Sequence, residues 1–179
     1  MKISLIGLPA SGKGYVARIM SQHLACPSFS IGDLVRNQKI LPSEIKEWRP
    51  LADDIAVKLY IEQVWPNPHF IVDGIPRNLE QLSKIEKQQA IPDLFIYLRI
   101  SPELAKIRYL NRIRHDSSEE IWNHRLALEK ERMPALLQKI KEQNQLIVLN
   151  TAQTPAQLNK SINRMLVSIQ EGKLGVQKA

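Results

Sequence analysis

Cysteine is almost absent. Cys26 is the single one in 179 residues, so no disulfide within the chain can hold the fold, and a hydrophobic core must do so. Flanked by Ala25 and Pro27, it reads as a small buried hydrophobe and not as a nucleophile. Long apolar runs are missing too. None reaches the length that crosses a bilayer, and the residues after Met1 already read as a strand, which predicts a cytoplasmic protein with no signal peptide and no membrane partner. The histidines, His23, His69, His115 and His124, lack ligand spacing to cysteine or glutamate and read as structural or surface residues. Aromatic residues make up only 6% and are not interleaved with a basic stripe. That pattern argues against a specific nucleic-acid partner despite a formal charge of +7. Repeats and low-complexity segments are absent. Glycine is scarce, at seven residues, yet three of the seven stand at positions 7, 12 and 14.

Hydrophobic residues make up 44% of the chain, enough for one good core and too short a chain for two ordinary domains. A single domain over 1–179 is expected. Apolar runs at 3–6, 70–72, 94–100 and 146–149 are rich in Ile, Val, Leu and Phe and do not alternate with polar residues, as suits strands covered on both faces. Ser28-Phe29-Ser30 adds a short fifth candidate. Helical patterns lie between them, at Val16, Ile19, Met20 and Leu24, at 59–64 and at 79–85. Ser101-Pro102 opens a further helix, Ser117-x-x-Glu120 fits a capping box for a long helix bent at Pro134, and Thr154-Pro155 opens the last. Strand and helix alternate throughout. The expected fold is α/β, a three-layer sandwich whose five-stranded parallel sheet carries helices on both faces.

The clustered glycines explain what the first strand leads to. Gly7-x-x-x-x-Gly12-Lys13 follows a strand and precedes a helix, so backbone N–H groups, the helix N-terminus and the lysine charge can converge on phosphate oxygens. This predicts a phosphate-binding loop of the P-loop NTPase type. Gly14 stands where the general motif has a Ser or Thr on Mg²⁺, so the metal must be held some other way. Single arginines at loops and helix ends suit polyphosphate, since a guanidinium meets phosphate with two parallel hydrogen bonds.

Beyond the second and third strands come Ser30-Ile31-Gly32-Asp33-Leu34-Val35-Arg36 and Asp73-Gly74-Ile75-Pro76-Arg77-Asn78-Leu79-Glu80-Gln81. Beyond the fourth lie Arg108, Arg112, Arg114 and Arg125. In this order, Gly-x-Pro-x-x-Gly-Lys-Gly, Gly-Asp-x-x-Arg, Asp-Gly-x-Pro-Arg-x-x-x-Gln and the run from Arg114 to Arg125 resemble the adenylate kinases, or more broadly the nucleoside monophosphate kinases, over about residues 1–170. The resemblance implies that Gly7, Pro9, Ala10, Ser11, Gly12, Lys13, Gly14, Tyr15 and Arg112 hold ATP. It implies that Ile31, Arg36, Gly74, Arg77 and Gln81 hold the acceptor monophosphate, Arg36 and Arg77 by its phosphate and Gln81 by its base. Lys13, Arg77, Arg114 and Arg125 would stabilise the transferred phosphoryl group, and Asp73 would orient waters on Mg²⁺. Taken singly, several of these also fit a bland role: Arg36 and Arg125 as exposed helix residues, Asp73 and Asp33 as caps, Gln81 as a first-turn residue after an Asn78 cap. The family also implies a cis peptide at Ile75-Pro76.

The chain departs from the family in two places. Only Ile113 separates the arginines between which the family's lid lies, leaving a vestigial lid at 112–116. The acceptor-binding insert, about 31–66, is shortened, with Leu51-Ala52-Asp53-Asp54 suggesting one short helical turn. Ile31, Ile75 and Tyr15 replace a Thr, an aromatic residue and a Thr of the family. Trp48, Trp65 and Trp122 read as packing residues, with Trp48 near enough to the acceptor region to meet a base. Gln81 favours adenine because an amide donates and accepts at once, while Asn78 matches the pyrimidine-specific members. The leading expectation is ATP and AMP converted to two ADP. A kinase for CMP, UMP or a non-nucleotide metabolite is the alternative, and a nucleotide-binding regulator with little turnover is the third. The trimmed lid predicts weaker transfer, some ATP hydrolysis or a protein partner over the site, whose identity the sequence leaves unknown.

Overall fold

The computed structural model describes residues 1–37, 51–112, 118–143 and 145–173. Its sheet has five parallel strands: β1 (Lys2–Ile6), β2 (Ser28–Ser30), β3 (Phe70–Asp73), β4 (Leu94–Arg99) and β5 (Leu146–Asn150), in the order β2-β3-β1-β4-β5. In-line pairing of Leu5 with Asp73 and with Ile96 puts the carboxyl ends of the three central strands side by side. The helices are α1 (Lys13–Leu24), α2 (Ile31–Asn37), α3 (Leu51–Leu59), α4 (Leu79–Lys87), α5 (Pro102–Leu110), α6 (Glu119–Glu142) and α7 (Pro155–Gln170).

The unbroken apolar runs are buried on both sides. Ile3 and Leu5 of β1 and Ile96 and Leu98 of β4 pack with Val16 and Met20 of α1 and Ile162 and Met165 of α7. Ile6 and Phe95, from the same strands, pack on the other side with Leu82 of α4 and Leu136 and Ile140 of α6. Phe70, Val72 and Ile75 build a third cluster with Ile31, Val57, Tyr60 and Ile85. A strand with both faces covered has no solvent side to mark with polar residues, which is why the sequence does not alternate. Cys26 is buried at the edge of the first cluster, as a small hydrophobe. Among the described residues no helix is long and apolar enough to cross a membrane.

Helix starts follow local chemistry. Asn78 caps α4 by accepting from the Gln81 N–H, Ser101 caps α5 with Pro102 behind it, and Thr154 with Gln157 forms a full capping box on α7. The cap of α6 is Ser118, which accepts from the Ile121 N–H, one residue later than the Ser117 box expected from sequence; Ser117 lies outside the described residues. The α6 helix runs on through Pro134, which is exposed, as is Lys130 four residues before it. The carbonyl that proline leaves without an N–H can therefore face water. The helix expected at 59–64 is the continuation of α3 as a π-helical turn, Tyr60–Val64, where the Trp65 N–H reaches the Tyr60 carbonyl at 2.8 Å. The short turn expected at 51–54 is the start of that nine-residue helix. Ile75-Pro76 is cis.

Candidate active site

The chain breaks at Gly7, at the end of β1, because no side chain fits there. A Cβ on Gly7 would stand 2.8 Å from the Leu98 carbonyl oxygen, and its φ of +150° lies where side-chain-bearing residues are strained. The loop then turns through Ala10 and Gly12, both in left-handed conformations, and enters α1. No acidic residue occupies the first turn of α1, so its positive end is left for an anion. Lys13 Nζ folds back over the loop onto the carbonyl oxygens of Gly7, at 2.9 Å, and Leu8, at 3.0 Å, and stands 3.9 Å from Asp73. Burial pushes the Lys13 ammonium below its ordinary pKa, with Asp73 and then Glu129 pulling it back up. An ammonium so desolvated binds a polyanion with less water to shed.

This loop forms one wall of a cleft of about 520 Å³ at the carboxyl ends of the strands. Of the residues expected from sequence, Gly7, Pro9, Ala10, Gly12, Lys13, Gly14, Arg36, Asp73, Gly74, Arg77, Arg112 and Arg125 line it. Arg36 is ion-paired with Asp33 across one turn of α2. Arg77 donates from Nε to the Gly74 carbonyl at 3.0 Å, which fixes its stem and leaves its terminal nitrogens toward the cleft. The Arg112 guanidinium lies 3.9 Å from the Tyr109 ring centre and that of Arg125 5.7 Å from the same ring, so one buried aromatic positions both cations. Tyr109 is itself packed on Trp122, which is buried as expected.

Four expected residues do not line the cleft. Ser11 is buried beneath the loop. Tyr15 turns away, donating to Asn159 Oδ1 at 2.8 Å and packing against the core, so it replaces a phosphate contact with a helix-to-helix one. Ile31 is fully buried in the cluster below the acceptor side. Gln81 is 1% exposed, and both ends of its amide are engaged: Oε1 accepts from the Arg77 N–H at 2.7 Å and Nε2 donates to Asp53 Oδ1 at 2.6 Å. The edge meant to read adenine is thus bonded within the protein. Arg114, the stretch 113–116 of the vestigial lid and Trp48 lie outside the described residues.

Sequence reasoning gave no site role to Asp53, Glu129 or Arg132, all of which line the cleft. Asp53, from α3, accepts from Gln81 and from Asn78 Nδ2 (2.8 Å) and stands 3.7 Å from Arg132 on α6, tying the acceptor insert to the core. Glu129 and Arg132 follow Arg125 at four and seven residues along α6, a spacing that puts all three on one face. That spacing was the available signal. One Glu129 oxygen, Oε2, is buried without a hydrogen-bond partner among the described residues. His124, read as structural or surface, also lines the cleft.

A glycine-rich loop after β1, a lysine on its helix and a ring of arginines over the ends of a parallel sheet define a P-loop nucleotide-binding protein. A profile of the family described as AAA domain matches residues 6–123, and the chain belongs to that P-loop family. It is similar to curated adenylate kinases over most of its length, as its motif order implies. The adenylate kinase of Wigglesworthia glossinidia brevipalpis is 29% identical over 170 residues, 91% of this chain and 78% of the relative. That of Encephalitozoon cuniculi is 23% identical over 92% of this chain and 97% of the relative. That of Coxiella burnetii is 30% identical over 70% of this chain and 59% of the relative. Likeness of this kind supports a phosphotransferase.

Proposed function

We propose that the protein is a cytoplasmic, Mg²⁺-dependent nucleoside monophosphate kinase that moves the γ-phosphoryl group of ATP to AMP, giving two ADP. The observation that carries this reading is the presence of two cationic half-sites in one cleft. Lys13 and the loop, Arg36, Arg77 and Arg125 all line one cleft, cations enough for two sets of phosphates. A protein that only binds ATP has no use for the second clamp. The loop and Lys13 hold the donor phosphates. Arg36 and Arg77 hold the acceptor phosphate, while Arg77, Arg125 and Arg114 neutralise charge that builds on the phosphoryl group in flight. Transfer between phosphates needs alignment and charge stabilisation, so no nucleophilic side chain is required.

Asp73 ends β3 beside Lys13 with its carboxylate on the cleft, a hard oxygen donor that fits Mg²⁺ held through water. The metal, when bound, supplies charge neutralisation on the phosphate oxygens. A second reading, with CMP, UMP or another acceptor in place of AMP, is favoured by one observation: the Gln81 amide is bonded to Asp53 and Arg77. The deciding experiment incubates the protein with ATP, Mg²⁺ and each of AMP, CMP, UMP, GMP and dTMP and follows ADP by chromatography. ADP above an ATP-only control with AMP establishes the reading. Selectivity for another monophosphate replaces the acceptor, and no ADP above the control in any mixture rejects a nucleoside monophosphate kinase, leaving a non-nucleotide acceptor or a nucleotide-binding protein without transfer.

A further inference from the structure

Glu129 has no part in the chemistry described so far, yet it stands on the cleft wall among the cations meant for phosphate. Lys13 of the loop, Arg77 of the turn after β3, and Arg125 and Arg132 of its own helix line the same cleft and act on its charge. Tyr97 of β4 is its neighbour among the uncharged groups, and Asp73, Asp53 and His124 line the same cleft. Its Oε2 is buried and makes no hydrogen bond among the described residues. A buried polar atom left unsatisfied costs stability, and natural sites keep one where a ligand completes it.

We propose that Glu129 is an acid of the phosphate site: it takes up a proton as a polyphosphate enters the cleft and then donates a hydrogen bond from its carboxyl group to a phosphate oxygen. The inference rests on the nucleotide-kinase reading above. In the empty cleft the cations stabilise a charged carboxylate. Once phosphate oxygens occupy the same ring, carboxylate and phosphate are like charges in a desolvated space, and one of them must be neutralised. The phosphate is shared by all the cations, so the proton goes to Glu129. Burial pushes the Glu129 carboxyl above its ordinary pKa, against the pull of Lys13, Arg77, Arg132 and Arg125, and an entering phosphate acts in the same direction as burial. The proton comes from solvent, and no bond in the nucleotide is made or broken by it.

The test is calorimetric titration of the full chain with Mg²⁺ and a non-hydrolysable ATP analogue near pH 8, in buffers of different ionisation heat. It compares the wild type with Glu129→Gln, which keeps a hydrogen-bond donor but cannot titrate, and with Glu129→Met, which keeps shape alone. Melting curves establish that each variant is folded, and either variant suffices for the proton count. The wild type should take up more protons on binding than either variant, by as much as about one per molecule. Glu129→Met should lose about tenfold or more in affinity, and Glu129→Gln, which still donates a hydrogen bond, should lose less. Equal proton counts in wild type and variants overturn the proposal. So does a fall in kcat of about a hundredfold or more in Glu129→Gln, which would make the carboxylate a base for a hydroxyl acceptor. Absence of nucleotide binding by the wild type rejects the kinase reading itself, whereas binding without the proton difference rejects only the role of Glu129.

Discussion

At the scale of single residues, four of the cleft's cations are also held by uncharged partners. Lys13 is fixed by two carbonyl oxygens of its own loop, Arg77 by the Gly74 carbonyl, and Arg112 and Arg125 by the Tyr109 ring. Such groups meet a phosphate without first being reorganised, which is where charge stabilisation is most effective. Replacing Lys13 by Met should therefore nearly abolish phosphoryl transfer while leaving the melting profile that of a folded protein. Arg125→Ala should lower kcat by about three orders of magnitude, as for other arginines that meet charge only in the transition state. Steady-state rates check both, and a loss below about tenfold takes that residue out of the catalytic set. Arg77→Ala should raise the acceptor KM strongly; unchanged acceptor kinetics would remove its clamp role. Gln81 teaches the opposite lesson. Its side-chain type suits adenine, but its bonds to Asp53 and the Arg77 N–H were invisible in sequence because Asp53 lies 28 residues away.

Among the elements, two helix caps with the same chemistry serve different ends. Thr154 and Gln157 close the start of α7, which packs on α1 and the sheet and lines no part of the cleft. Asn78 caps α4 with its Oδ1 and, through Nδ2, holds Asp53. Each substitution to Ala should cost about 1 kcal/mol of stability by loss of the cap. Only Asn78→Ala should also change acceptor KM, because only there does the cap reach the bridge from α3 to α6. Denaturant midpoints together with acceptor kinetics separate the two effects. The caps of α4, α5 and α7 were legible from residue type and spacing, since a cap is a local hydrogen bond. The continuation of α3 as a π turn was not. The apolar period at 59–64 signals a helix but not a Trp65 N–H that reaches back five residues.

At the scale of the whole molecule, the phosphate loop and the described arginines of the cleft lie at one end of one parallel sheet. In sequence a single residue, Ile113, separates Arg112 and Arg114, where the family carries a lid. A lid excludes water from the transferring phosphoryl group. ATP hydrolysis without acceptor should therefore be measurable here. Phosphate release from ATP and Mg²⁺ alone checks it, with Lys13→Met as the control that should show none.

By itself the sequence determined the parallel α/β fold, the phosphate loop and the order of the arginine-bearing segments. Each of these is written in local patterns: unbroken apolar runs, glycines at fixed intervals, caps ahead of helices. The tertiary structure alone decided that Tyr15 faces the core, that Gln81 is held by Asp53, and that Glu129 enters the ring of cations with a bare oxygen. Those outcomes depend on which distant side chains arrive at the same few cubic ångströms, and burial and charge pairing are set by that meeting rather than by any residue's neighbours along the chain.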